Sequence, residues 1–444
     1  MIDPGIFKAY DIRGTVPDQM TEEVAYRVGR ALVLHLACPV VAVGRDMRLS
    51  SPALAAALIR GITDQGADAV ELGLTSTDQL YFAVGKFGYP AGVMVTASHN
   101  PKEYNGFKIC REQAIPLSSA EGLDKIKELV LAGSFPAASP GRVTQRDTLA
   151  EYVDHALTFI DPAKIKPWRI AVDAGNGMAG QTLPAVFDRL PCQLIPLYFE
   201  LDGSFPHHPA SPIEPENMVD LQRAVREQAA DLGAAFDGDA DRMFIVDEHA
   251  NLIGGDMVTA LVSQNLLRKH PGSIIIYNLI CSRTVPEVIE RNGGIPYRSR
   301  VGHSFIKADM RRLNAIFGGE HSGHFYFRDF WYADSGLIAL LVTLELLSEE
   351  GKRPGELLAP LDTRFRSGEI NTRVADIPAK LAAVTAHFAD GQIDHLDGIT
   401  ISYPDWWFNL RPSNTEPLLR LNVEADTKEL LDRRTAEVLA IIRS

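Results

Sequence analysis

Four stretches of the 444-residue chain bring together residue types that do chemistry. In VMVTASHNPKEYNGFK, an apolar run from Ala91 to Val95 ends in Thr96, Ala97, Ser98, His99 and Asn100 before Pro101 stops it. A serine at such a strand end is presented rather than packed. As a phosphoserine it would need only positioning and charge compensation to hand a phosphoryl group on. An Asx or Ser turn is the competing reading of Ser98. In AAFDGDADRMFIVD, Asp237, Asp239 and Asp241 alternate with Gly238 and Ala240 between apolar flanks. Three such carboxylates repel one another unless a cation neutralises them, and hard oxygen ligands in a tight loop suit Mg²⁺. An EF-hand calcium loop would use Glu248, twelfth from Asp237, but its sixth place is Arg242 instead of glycine and its flanks read as strands. An acidic surface turn is the other alternative.

In FGGEHSGHFYF, Glu320, Ser322 and His324 stand at alternate positions, which an extended backbone turns to one side. Carboxylate beside hydroxyl is what recognition of vicinal sugar hydroxyls requires, although a glycine-rich hairpin also fits. In NLRPSNTEPLLR, Arg411, Ser413, Asn414 and Thr415 sit on a loop between two strands, where guanidinium, hydroxyls and turn amides can form an anion nest. A hairpin turn built on Pro412 and Asn414 is the simpler reading.

The elements that must hold these loops repeat. A β-α-β rhythm runs VVAVGRD, SPALAAALIRGITDQG, ADAVELG. It recurs as WRIAVDAGNG, MAGQTLPAVFDRL, CQLIPLY and again as SIIIYNLICS, RTVPEVIERNG, GIPYRSR. Such alternation implies parallel or mixed sheets covered on both faces, hence three α/β units of one plan. From about Ser367 one helical segment precedes three strands (GITISYP, WWFNLRP, LLRLNVE) and a final helix, which reads as a smaller α+β unit. The expected domains are 1–146, 147–250, 251–366 and 367–444, with the serine, aspartate, glutamate and arginine loops one to each.

A chain of this length with 46% hydrophobic residues buries several cores. Its 44 lysines and arginines against 57 acids give a net charge of −13 with no dense basic stripe, which disfavours a nucleic-acid partner. An acidic protein still binds a sugar phosphate where its cations converge on one cleft. Cys38, Cys110, Cys192 and Cys281 are widely spaced without a CxxC pair, so neither a zinc site nor a disulfide framework is expected. The start, MIDPGIFKAYDIRG, lacks a charged region followed by an apolar segment, and no later stretch has the ~20 apolar residues of a membrane span. A cytoplasmic protein without membrane partners is the expectation.

KAYDIRG, TASHNP, DGDADR, GEHSGH and RPSNTEP, in that order, resemble the α-D-phosphohexomutase superfamily over essentially the whole chain, on the phosphomannomutase/phosphoglucomutase side. The resemblance implies three similar α/β domains and a fourth like the TATA-binding-protein fold, around one cleft. It implies that Ser98 carries the phosphoryl group and that Asp237, Asp239 and Asp241 hold Mg²⁺ together with a phosphoserine oxygen. Glu320 and Ser322 would grip sugar hydroxyls, while Arg411, Ser413, Asn414 and Thr415 would hold the unreactive phosphate. Tyr10 and Arg13 would line the cleft, Lys108 and His303 would transfer protons, and Arg242 and His324 match further active-site positions. A hexose 1,6-bisphosphate would be the intermediate, and hexose 1- and 6-phosphates the substrates.

Sugar choice is less sharply written. His321 in GEHSGH matches neither the methionine common in phosphomannomutase/phosphoglucomutase members nor the glutamine of phosphoglucosamine mutases. Asn414 and RDFWYADSG favour mannose and glucose phosphates, and Glu416 departs from the threonine of some dual-specificity members. Phosphoglucosamine mutase is the alternative within the superfamily. A metal-dependent sugar phosphatase or a non-catalytic sugar-phosphate-binding protein is the alternative of another class.

Overall fold

The computed structural model describes residues 2–413 and 418–444. The runs of consecutive apolar residues become inner strands, because a strand covered on both faces has no polar side to show. Ala91–Val95 and Leu232–Phe236 are buried at every position. The first sheet has the order Ile12–Thr15, Tyr104–Arg111, Ala91–Val95, Val40–Arg45, Asp68–Leu74, Val143–Gln145. Its last four strands are parallel, and Tyr104–Arg111 runs back along Ala91–Val95. The second sheet, Leu252–Ile253, Met243–Val246, Leu232–Phe236, Arg169–Asp173, Gln193–Leu197, has three parallel strands with Met243–Val246 antiparallel beside Leu232–Phe236. The third is Ile295–Ser299, Ile274–Asn278, Phe317–Gly319, Phe325–Phe327, Ala333–Asp334, with Phe325–Phe327 antiparallel beside Phe317–Gly319.

The three sheets share one device: a strand of the parallel set hands the chain to an antiparallel neighbour. That connection carries the serine loop in the first sheet, the aspartate loop in the second and the glutamate loop in the third. All three loops thus emerge at the carboxyl end of a parallel strand, where α/β sheets present ligand-binding groups.

The helices of the three β-α-β copies form as the periodicity implies, over Ser51–Asp64, Ala179–Phe187 and Thr284–Arg291. A further helix, Gly336–Glu350, is capped by Ser335, whose hydroxyl accepts from the Ile338 N–H, and is buried from Gly336 to Ser348. A helix apolar on every side belongs inside a protein. It packs against Gly255–Lys269 within a core continuous through the first three units. No helix among the described residues is long and apolar enough to cross a membrane.

The last unit is an antiparallel sheet of six strands, in the order Phe365–Arg366, Leu418–Ala425, Trp406–Pro412, Ile399–Ser402, Gln392–Asp394, with Ile370–Arg373 also on Leu418–Ala425. Three of these strands are legible in the sequence. The others span two to four residues, half in solvent, too short for a period to register. The unit has its own core, in which Val384 and Phe388 meet Ile401, Phe408, Leu421, Leu431 and Val438. It docks on the third unit by polar contacts. Arg283 Nη2 donates to the Tyr403 carbonyl (2.8 Å), and Arg298 pairs with Asp394 (2.5 Å).

Candidate active site

Ser98 lies wholly buried at the tip of its loop with φ of 51°, a conformation that a non-glycine residue keeps only where its surroundings enforce it. Its N–H donates to Thr96 Oγ1 (2.9 Å), and its hydroxyl donates to Asp237 Oδ2 at 2.7 Å. The two loops approach so closely that a Cβ on Gly238 would stand 2.6 Å from the Ser98 carbonyl oxygen. Glycine is therefore required there for space.

Asp237, Asp239 and Asp241 are buried, with carboxylate oxygens all within 4.8 Å of one another. Lys108 Nζ pairs with Asp239 Oδ2 (2.7 Å) and with Asp241, and Thr77 Oγ1 donates to Asp239 Oδ2 at 2.5 Å. Asp239 Oδ1 and Asp241 Oδ1 are buried without a hydrogen-bond partner. Burial, followed by the charges of Asp241 and Asp239, holds the Asp237 carboxyl well above the ordinary range. Burial together with Asp239 pushes Asp241 up to about 6. For Asp239 burial acts in the same direction, but the Lys108 ammonium prevails and lowers it. Burial disfavours the charge on Lys108, and the three carboxylates more than restore it.

Arg242 ties this loop to the next. Its N–H donates to Asp237 Oδ1 (3.2 Å), its Nε donates to His324 Nε2 (3.1 Å), and Met243 N–H donates to the Gly323 carbonyl (3.1 Å). His324 Nδ1 lies 3.0 Å from Ser322 Oγ. Glu320 is buried, accepting from Tyr326 OH, from Asn278 Nδ2 (3.2 Å) and from the Gly302 N–H (3.3 Å). His303 begins the helix His303–Leu313, with its ring edge-on to Tyr10 at 4.9 Å. Burial, helped by Lys307, lowers its pKa to about 3, so the imidazole is neutral at pH 7. Arg13 reaches the serine loop through Asn100 and pairs with Asp11 at 2.6 Å.

From the fourth unit, Arg411 stands one residue before the end of the strand Trp406–Pro412, close enough to Glu320 to feel its charge. Arg411 and Arg420 share Glu369, at 2.7 and 3.1 Å, and Arg420 donates to Ser413 Oγ (3.4 Å). Asn414 and Thr415 lie outside the described residues. His321 lines a small cavity with Arg366, Trp407, Asn422 and Glu424, where the third and fourth units meet.

Residue-type reasoning passes over four members of this centre. Thr77 and Asn278 hold Asp239 and Glu320, Glu369 neutralises Arg411, and the guanidinium of Arg48 is hydrogen-bonded beneath the serine loop. Arg48 alone left a trace, as a charged residue just after a buried strand in VVAVGRDMR.

Three sheets of one plan that turn equivalent loops to a common polar centre, with a serine hydroxyl on a carboxylate cluster, define a multidomain α/β phosphotransferase. Known proteins narrow this class. Family descriptions for phosphoglucomutase/phosphomannomutase match in four parts: alpha/beta/alpha domain I over residues 4–137, domain II over 150–254, domain III over 254–364 and the C-terminal domain over 369–441. A phosphomannomutase of Salmonella montevideo is 42% identical over 99% of both chains. A protein of Xanthomonas campestris named for phosphohexose mutases is 42% identical over 98% of this chain and 99% of its own. The crystal structure of a phosphoglucomutase/phosphomannomutase family protein from Burkholderia thailandensis superposes with a TM-score of 0.92, at 32% identity, covering 100% of this chain and 98% of that one. The chain belongs to the phosphoglucomutase/phosphomannomutase family.

Proposed function

We propose that the protein is a phosphohexomutase that interconverts hexose 1-phosphates and 6-phosphates, with mannose and glucose as its sugars. The observation that carries this reading is Ser98 Oγ seated 2.7 Å from Asp237 where three loops meet. The phosphomannomutase relatives support the choice of sugar. The loop-bearing units meet near residues 146, 250 and 366, give or take a few positions.

In the phosphorylated enzyme, the free O6 or O1 of the bound hexose monophosphate attacks the phosphorus on Ser98. The new O–P bond forms as the P–Oγ bond breaks, and a hexose 1,6-bisphosphate results. The neutral imidazole of His303 takes the proton of the attacking hydroxyl, and Lys108 supplies one to Ser98 Oγ. The bisphosphate turns end over end, and its other phosphoryl group returns to Ser98 with the same proton transfers reversed. Glu320, Ser322 and His324 hold the sugar hydroxyls. Arg411, Ser413, Asn414 and Thr415 hold whichever phosphate is not reacting, while Tyr10, Arg13 and Arg242 close the walls. Burial of Ser98 keeps water from the phosphoserine.

Asp237, Asp239 and Asp241 fit a hard divalent cation: two of their oxygens are buried without partners, and all three groups lie within one ligand span. Mg²⁺ held there supplies neutralisation of charge on the transferring phosphoryl group. Replacing Ser98 by alanine tests the whole scheme. Turnover should vanish, and intact mass should show one phosphate on the wild type that the variant lacks. Near-wild-type turnover of Ser98→Ala removes the reading.

A further inference from the structure

Arg48 lies beyond the strand Val40–Arg45 with 1% of its surface exposed, and none of the transfer steps uses it. Nη2 donates to the carbonyls of Ser98 (2.8 Å) and Asn100 (2.6 Å), and Nη1 donates to those of Pro101 (2.8 Å) and Tyr104 (3.0 Å). Nε faces Asp46 Oδ2 at 3.3 Å as an ion pair without a hydrogen bond, so the four N–H groups of Nη1 and Nη2 are the ones that carry hydrogen bonds, all to carbonyls of this loop. Asp46 is fixed in turn by Ser51 Oγ (2.5 Å) and the Arg48 N–H (3.0 Å). The ring of Phe205 lies 5.1 Å from the guanidinium carbon. A buried charge is costly unless paired and hydrogen-bonded throughout. Here that cost is met with four carbonyls of one loop, the loop that bears Ser98.

The serine alternates between two states. As a hydroxyl it donates to Asp237. As a phosphoserine it has no proton to donate, and that anchor is gone. The loop must nonetheless keep its shape, with φ of 51° at Ser98, because the same oxygen has to receive the second phosphoryl group where it gave up the first. The contacts of Arg48 are to main-chain oxygens and do not depend on what Oγ carries.

We infer that Arg48 is a positioning residue that holds the Ser98 loop in one shape through both halves of the transfer. The inference rests on Ser98 being the phosphoryl carrier. Arg48→Lys keeps a cation for Asp46, but a point charge with three donors cannot span four carbonyls. With Oγ misplaced by around an ångström, kcat should fall about 100-fold while KM for the hexose phosphate stays within about threefold. In Arg48→Ala, added guanidinium should restore part of kcat. Wild-type kcat in Arg48→Lys overturns the inference, as does a loss that matches the fall in folded fraction.

Hydrogen exchange on the wild type needs no variant. The amides of residues 96–100 and 102–104 should be equally protected in the phosphorylated and dephosphorylated forms. Protection that drops on phosphorylation would show that the Asp237 bond holds the loop, and would overturn the role given to Arg48. Retained turnover in Ser98→Ala is a separate outcome, since it removes the parent reading and this inference with it.

Discussion

Replacing Gly238 by alanine probes the junction on which the site depends. The added Cβ would stand 2.6 Å from the Ser98 carbonyl oxygen, so the loops must part by at least about half an ångström to reach an ordinary contact. Neither side yields easily. The Ser98 carbonyl is tied to Arg48, and the aspartate loop is backed by Gly177, whose own Cβ would lie 2.8 Å from the Gly238 carbonyl. Gly238 does not occupy the left-handed region, so alanine is tolerated by the local backbone and the effect is one of space. The gap opens where Ser98 Oγ meets Asp237. If an ångström of misplacement costs about 100-fold in rate, half that or a little more costs between about five- and fifty-fold. Overpacking should also lower stability by about 1–3 kcal/mol. A coupled assay for hexose phosphate isomerisation gives kcat and KM, and thermal unfolding gives the stability change. Wild-type kcat with unchanged unfolding would mean that the serine and aspartate loops do not meet as described, and would refute the reasoning.

Two further outcomes follow from buried charges. Asp78, which accepts from Ser76, Tyr152 and Ser335, is pushed by burial up to about 6 from an ordinary 3.8. The fold thus favours its protonated form. The stability this contributes is complete below about pH 4 and is lost as pH rises through 6. Asp78→Asn is neutral throughout, so between pH 4 and 7 its stability should rise relative to wild type by about 2 kcal/mol, and a pH-independent difference would contradict this. In Arg411→Ala, loss of a charge-assisted phosphate contact should raise KM about 10- to 100-fold with kcat changed less than about threefold, and an unchanged KM would take Arg411 out of the phosphate nest.

The inner strands were legible because continuous burial leaves continuous apolar sequence, as in Ala91–Val95 and Leu232–Phe236. The helix Gly336–Glu350 lies outside the three β-α-β copies, and a run buried on every side shows no polar face to mark a helical period. Val143–Gln145, exposed at all three positions, joins the first sheet by parallel pairing with Asp68–Leu74 and has no apolar pattern of its own. Ser98 and the aspartates stood out because their residue types are unusual beside buried strands. Arg48 and Glu369 did not, for a physical reason. The partners of Arg48 are carbonyl oxygens, which every residue has, and Glu369 meets Arg411 from 42 positions away. Only the closed fold brings such partners together.

The shared hairpin device of the three sheets has a consequence for how such an enzyme can change. Each loop is anchored by its own pair of strands, so the tip of one can be rewritten without re-registering the other two. Under the proposed function, phosphoryl carriage, charge neutralisation and sugar selection fall to separate connections. On that reading, a lineage, or an engineer, can shift preference among hexoses by editing the third connection, provided its ties to the aspartate loop, His324 to Arg242 and Gly323 to Met243, are kept.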